Sequence, residues 1–246
     1  MTIAQPFALF ELDDYAPPVR AAATAERVQR QREPHPHERR VVADSGDRVA
    51  WLKARARGVT ATDAAKLSSR TAVRSAAWEK LHGTGGRRFG GSRFTDHGRE
   101  REPVIAEWAR REHGLLPSSL LFHSEADRRH LATPDGLVVR ETGALELCEI
   151  KTTAKTWRSI PRPYLRQVWW QQYVLGAERT LVVWERHEDF VPTGEPECRW
   201  VDRDDDQIAM LISLAEELLT LIAPTSPPLA PPDGRDRSFY RPGPLA

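Results

Sequence analysis

The chain has 246 residues, with 36 Lys and Arg against 35 Asp and Glu, for a formal net charge of +1. That balance removes any global pull toward nucleic acid or acidic membranes, so recognition of a polyanion must rest on local clusters. Two cysteines are too few for a four-thiolate zinc or iron–sulfur centre, and they point to a reduced, intracellular protein, expected in the cytoplasm.

Residues 1–45 lack sustained periodicity and are broken by proline. They read as a flexible N-terminal arm with one short helix near Ala21–Arg32, and their start has neither the basic nor the apolar run of a signal peptide. A helix is predicted over 47–58, with Val49, Trp51 and Leu52 toward a core and Gly58 as its stop. Thr60 or Thr62 can cap the next helix, and another runs over 72–83 to a glycine. Residues 84–94 read as a basic loop. Asp96 opens a strong helix to Gly114, with Val104, Ile105, Trp108 and Ala109 at helical spacing. Strands follow at 119–124, 136–139 and 144–153, then a helix at 164–176, strands at 179–186 and 197–201, and an amphipathic helix at 205–222 stopped by Pro224. Residues 223–246 form a Pro-rich tail. No apolar run approaches a membrane span. The order gives an α/β fold over residues 46–222, with one central mixed β-sheet flanked by helices. The arginine clusters at 87–93, 99–102 and 157–166 each read, taken alone, as solvated surface.

The chemistry concentrates between His130 and Thr153. Asp135 lies in a Pro134-Asp135-Gly136 turn, where proline fixes the preceding φ and Gly136 is expected to allow a reversal; a plain hairpin is the structural alternative. Glu149 and Lys151 stand two apart on a strand and therefore share a face, with Ile150 on the other. Leu145, Leu147 and Cys148 mark that strand as largely buried, with Cys148 a small hydrophobe. A buried carboxylate and ammonium cost several kcal/mol unless each has a partner or a metal. Antiparallel pairing of the two strands would bring Asp135 to Glu149, and two converging carboxylates call for a hard cation such as Mg²⁺. A lysine beside them can orient an attacking water, which makes a metal-dependent hydrolytic site for phosphodiesters. Glu102, four residues after Gly98, is a further carboxylate; its structural alternative is a helix N-terminal charge complementing the macrodipole. Trp169 and Trp170 read as core.

These residues resemble the PD-(D/E)xK nuclease superfamily, with Pro134-Asp135 and Glu149-Ile150-Lys151 as its motif. More of the chain resembles one branch, the lambda exonuclease and YqaJ-type viral recombinase family. Trp51 to Arg55, then Gly58-Val59-Thr60, look like its opening; Gly98-x-x-x-Glu102 looks like its acidic helix. Thr133-Pro134-Asp135-Gly136 looks like its turn, and Tyr164-x-x-Gln167 like its following helix. The resemblance covers residues 47–222 and implies a restriction-endonuclease-like core. It implies Asp135, Glu149, the Ile150 carbonyl and Glu102 around Mg²⁺ or Mn²⁺, with Lys151 positioning water. It also implies a pocket for a DNA 5′-phosphate at Arg55, Thr62, Thr133 and Gln167. Arg57 competes with Arg55, and the family's second glutamine has no clear match in Gln171 or Gln172. The implied activity is 5′–3′ exodeoxyribonuclease action on double-stranded DNA ends, in phage-type recombination with a single-strand annealing protein, as a trimeric ring, in a bacterial host cytoplasm. A catalytically silent DNA-binding scaffold and an endonuclease are the alternatives on the same fold.

Overall fold

The computed structural model describes residues 34–82, 93–224 and 229. The short helix expected near Ala21–Arg32, the basic loop up to residue 92 and nearly all of the Pro-rich tail lie outside the described residues. The chain divides into Met1–His35 and Pro36–Ala246, and all the described helices and strands belong to the second unit.

The segment read as an arm becomes regular before residue 45. Pro36–Arg40 form a 3-10 helix and Val41–Asp44 a strand, β1. Side chains do this, not periodicity. The Arg40 guanidinium donates to the carbonyls of Val174 at 2.5 Å, Leu175 at 3.0 Å and His123 at 3.2 Å. Next comes α1 (Arg48–Ala56), where the Asp47 carboxylate caps the Ala50 N–H. Its apolar residues do not reach a core as expected: Val49 is 79% and Leu52 47% exposed, and none of its residues is buried. The helix lies on β1 at the rim of a sheet, and Trp51 stacks under the Arg55 guanidinium at 4.1 Å.

β2 (Val59–Thr60) leads into α2 (Ala61–Ala64). Thr60, not Thr62, is the cap: its hydroxyl accepts from the Asp63 N–H while the Asp63 carboxylate accepts from the Thr60 N–H. Then come α3 (Arg70–His82) and α4 (Arg93–His113), which starts earlier than predicted and runs through Pro103. On α4, Ile105 and Ala109 are buried one turn apart, whereas Val104 points out at 52% exposure, off the inward stripe.

The strands are β3 (Leu116–Pro117), β4 (Leu120–His123), β5 (His130–Ala132), β6 (Gly136–Val139), β7 (Leu145–Thr153), β8 (Arg179–Glu188), β9 (Val191–Pro192) and β10 (Glu197–Asp202). Helix α5 (Arg162–Leu175) joins β7 to β8, and α6 (Asp205–Ile222) is the last helix among the described residues. Where one sheet was expected there are two. A mixed sheet runs β10-β8-β7-β6-β3, with β9 paired to β8; a smaller one runs β1-β4-β5-β2. β7 lies inside the larger sheet, parallel to β8 and antiparallel to β6. Its alternation serves two cores. Leu145 and Leu147 join Val168 and Trp170 of α5 and Leu211 and Leu218 of α6. Cys148 and Ile150 join Ile105 and Ala109 of α4 on the opposite face.

Pro134-Asp135-Gly136 is not a hairpin turn. It is the passage from β5 in one sheet to β6 in the other. Gly136 is not among the positive-φ glycines. It is needed for space: a Cβ there would lie 3.1 Å from both the Cys148 Cβ and the Leu116 carbonyl oxygen.

Candidate active site

Antiparallel pairing of β6 with β7 sets Gly136 opposite Cys148, and the Asp135 N–H continues the ladder by donating to the Cys148 carbonyl at 3.0 Å. The Asp135 carboxylate then folds back onto β7 and accepts the Ile150 N–H at 2.6 Å. Asp135 and Glu149 are thus brought together by strand register alone. Glu149 is 2% exposed, and Lys151 donates to its Oε1 from the same strand face.

The other wall is α5. It is tied to α2 by Arg166, which donates twice to the Ala65 carbonyl at 2.8 and 3.0 Å. From this helix the Gln167 amide donates to Glu149 Oε1 at 2.5 Å, and the Gln171 amide to Glu149 Oε2 at 2.6 Å. The two glutamines stand four apart on the helix and so project on one side. Glu149 is therefore held by three side-chain donors. α4 forms the third wall, anchored by Arg101, whose guanidinium makes a bidentate pair at 2.7 Å with Glu185, itself 2% exposed on β8. This pair leaves Glu102, the next residue, facing the cleft.

These elements enclose a cleft of about 490 Å³ at the end of β7. Glu102, Lys151, Thr62, Gln167, Tyr164 and Gly98 are among the residues lining it. Arg55, Thr133, Asp135 and Glu149 are not. Arg55 is half-buried over Trp51, its pKa lowered by burial and partly restored by Asp63. Arg57 is exposed. The Thr133 hydroxyl is buried with no partner among the described residues, and its carbonyl accepts from Gln171 at 3.4 Å. Gln167 faces the cleft, but its amide is committed to Glu149.

The charges conflict. Burial, then the Glu149 carboxylate, push the Asp135 carboxyl well above the usual range; Lys151 acts against this, Glu102 adds to it, and the Ile150 N–H opposes it. Glu102 keeps contact with solvent at the cleft mouth, yet lost hydration on its inner side and the charge of Glu149 raise it too, with Lys151 opposing. Burial lowers the Lys151 ammonium, but Glu149 and Asp135 outweigh it and its pKa ends raised. A hard divalent cation fits this donor set, because it would relieve a carboxylate repulsion that one lysine does not cancel. Among the described residues, no three His, Cys, Asp or Glu side chains by themselves form a metal-binding group. Asp135 and Glu149 would supply two carboxylates, with the Ile150 carbonyl and water completing the shell and Glu102 reaching it directly or through water; Mg²⁺ commonly binds this way.

Sequence reasoning left Gln171 unassigned, gave Tyr164 no role beyond its place in the motif, and missed Arg101 and Glu185. The four-residue spacing of Gln167 and Gln171 was the available signal for the first; nothing local marks the Arg101–Glu185 pair.

A family model described as the YqaJ-like viral recombinase domain matches residues 50–178. No curated protein matches the chain. Among solved structures, an alkaline exonuclease (LHK-Exo) from Laribacter hongkongensis is similar at 21% identity, TM-score 0.54, covering 70% of this chain and 91% of that one. LHK-Exo in complex with dAMP aligns at 24% identity, TM-score 0.56, with the same coverage. A phage related exonuclease from Haemophilus somnus 129PT aligns at 13% identity, TM-score 0.52, covering 67% and 93%. The shared fold is the PD-(D/E)xK-like α/β core. Among the described residues, no helix is long and apolar enough to cross a membrane.

Proposed function

Because the chain belongs to the YqaJ-like viral recombinase family, we propose that it is a metal-dependent exodeoxyribonuclease that digests one strand of linear double-stranded DNA from a 5′ end. The observation that carries this reading is the convergence of Asp135, Glu149 and Lys151 at the end of β7, where Lys151 and Glu102 line one cleft.

Bound Mg²⁺ or Mn²⁺ supplies Lewis acidity at a phosphoryl oxygen and lowers the pKa of water. The protein's own work is to position. Asp135 and Glu149 hold the cation, and Glu149 is kept oriented by Lys151, Gln167 and Gln171. Lys151, held as an ammonium, donates to the attacking water or to the charge that develops on the phosphate. Its proximity to Tyr164, 5.2 Å from nitrogen to ring centre, restrains that ammonium. Thr62 and Gln167 are the residues of the implied 5′-phosphate pocket that line the cleft, with Arg99 beside them. Arg55 supplies the guanidinium in this reading, favoured over Arg57 because it is half-buried beside Asp63. Thr133 joins them through its unpartnered hydroxyl. A phage-type role in recombination by strand annealing, with a single-strand annealing protein and a ring-shaped trimer, belongs to the same reading.

The test offers the protein linear and covalently closed circular duplex of one sequence, in Mg²⁺ and in EDTA. Acid-soluble nucleotide released from the linear form only, and only with Mg²⁺, supports the reading. Nicking of the closed circle at a similar rate would replace it with an endonuclease, and tight binding without cleavage of either form would replace it with a scaffold.

A further inference from the structure

Gln171 and Gln172 are adjacent on α5, both 0% exposed, and each has an Oε1 atom with no partner among the described residues. Their amide nitrogens go to different places. Gln172 donates to the Thr180 hydroxyl at 3.0 Å and the Val201 carbonyl at 2.9 Å, joining α5 to β8 and β10. Gln171 donates to Glu149 Oε2 at 2.6 Å, with the Thr133 carbonyl at 3.4 Å.

We infer that Gln171 is a positioning residue for the hydrolytic site, fixing the Glu149 carboxylate for a divalent cation, while Gln172 is a structural amide. The inference rests on the nuclease reading above. A buried glutamine with an unsatisfied oxygen costs more than a methionine of the same volume, so each of the two is explained by what its amide joins: Gln172 ties α5 to β8 and β10, and Gln171 reaches only the site. Its position is accounted for by what the amide does to Glu149. Gln167 performs the same service on Oε1, but it faces the cleft and can turn toward a nucleic-acid phosphate. Gln171 is sealed behind it and has no such alternative. Glu149 Oε2 thus has Gln171 as a fixed donor, while Oε1 is shared between Lys151 and the exchangeable Gln167. Residues that hold metal-binding carboxylates change affinity or activity about tenfold to a hundredfold when replaced.

The test compares Gln171→Met and Gln172→Met with wild type as full-length protein. Mn²⁺ binding to metal-free protein is measured by calorimetry, kcat and KM on linear duplex separately, and thermal midpoint in EDTA. Gln171→Met is expected to weaken Mn²⁺ binding and lower kcat by about tenfold or more, with KM for DNA nearly unchanged. Gln172→Met is expected to lower the thermal midpoint and leave Mn²⁺ affinity and kcat near wild type. Wild-type Mn²⁺ affinity and kcat in Gln171→Met would overturn the inference. So would equal losses in both variants tracking their unfolding. A wild type that neither binds Mn²⁺ nor cuts DNA would sink the nuclease reading, and this inference with it. A wild type that does both, beside an unaffected Gln171→Met, would overturn this inference alone.

Discussion

Asp135 stands where two demands on one residue oppose each other. Its carboxyl is raised by burial and by Glu149, so protonation relieves the folded state. A group whose folded pKa exceeds its unfolded value adds stability at low pH, and that stability is lost as pH rises through the folded pKa. Without metal, an ionised Asp135 is therefore a liability to the fold. Asp135→Asn keeps an oxygen for the Ile150 N–H and removes the charge. It is expected to raise the thermal midpoint in EDTA, by roughly 2–4 °C for each kcal/mol gained, while removing nuclease activity. A lower midpoint in a calorimetric scan would contradict this electrostatic account. At this scale much was legible in the sequence. Asp135, Glu149 and Lys151 are set by strand periodicity and register, which are local rules. Gln171 was not, because its contact with Glu149 depends on how α5 is rotated against β7, and no short-range rule sets that rotation.

Elements are placed by contacts that a linear reading does not contain. Gly58 directly follows Arg57, the C-cap of α1, as expected of a helix stop, and a Cβ there would also sit 2.3 Å from the Arg129 carbonyl oxygen and 2.7 Å from Leu131 Cδ1. Gly58→Ala is expected to destabilise by about 2 kcal/mol or more, in the range seen when a packed backbone must shift. At Gly98 the nearest atom to an added Cβ is Thr152 Oγ1 at 3.6 Å, an ordinary contact. Gly98→Ala should fold like wild type, and chemical denaturation of the two alanine variants separates the cases. The hold on α4 makes a second prediction. Arg101→Met leaves Glu185 buried and unpaired and should cost about 3–5 kcal/mol, whereas the double variant Arg101→Met, Glu185→Leu recovers most of that loss. If both variants unfold at the same denaturant concentration, the pair is not what holds α4. Helices α3 to α6 were readable from apolar spacing. α1 misled, because Val49, Trp51 and Leu52 repeat like a buried stripe, yet on the sheet rim Val49 and Leu52 are exposed and Trp51 is partly covered by Arg55.

For the whole molecule, the second sheet was the largest feature the sequence concealed. Its strands are two to four residues long, β2 pairs parallel to β5 across a long separation, and β1 enters from the supposed arm. Strands this short carry no usable period. Global stability should also depend on pH through buried imidazoles. His97 is lowered chiefly by burial, then by His187, with Glu185 and Glu100 opposing and Arg101 assisting; burial lowers His130 as well. An imidazole harder to protonate in the fold leaves the unfolded chain holding the extra proton below the ordinary value of about 6.5. Stability is therefore full above that pH and falls toward the lowered folded value. His97→Phe, which keeps a ring against His187 and Phe190, should gain on wild type in thermal midpoint as pH drops from about 7.5 to about 5.5. A constant difference would remove His97 from the account.

In the proposed function, the cluster at the end of β7 cuts DNA from its 5′ end. The most direct measurement follows a linear duplex labelled at one 5′ end, with and without a terminal phosphate, incubated with wild type or Lys151→Ala in Mg²⁺ or EDTA. Mg²⁺-dependent release of labelled nucleotide is expected, faster from the phosphorylated end, and reduced by about a hundredfold or more in Lys151→Ala, the scale of losing a positioned donor. Equal release by Lys151→Ala and wild type would contradict it, because the reaction would then run somewhere other than this site.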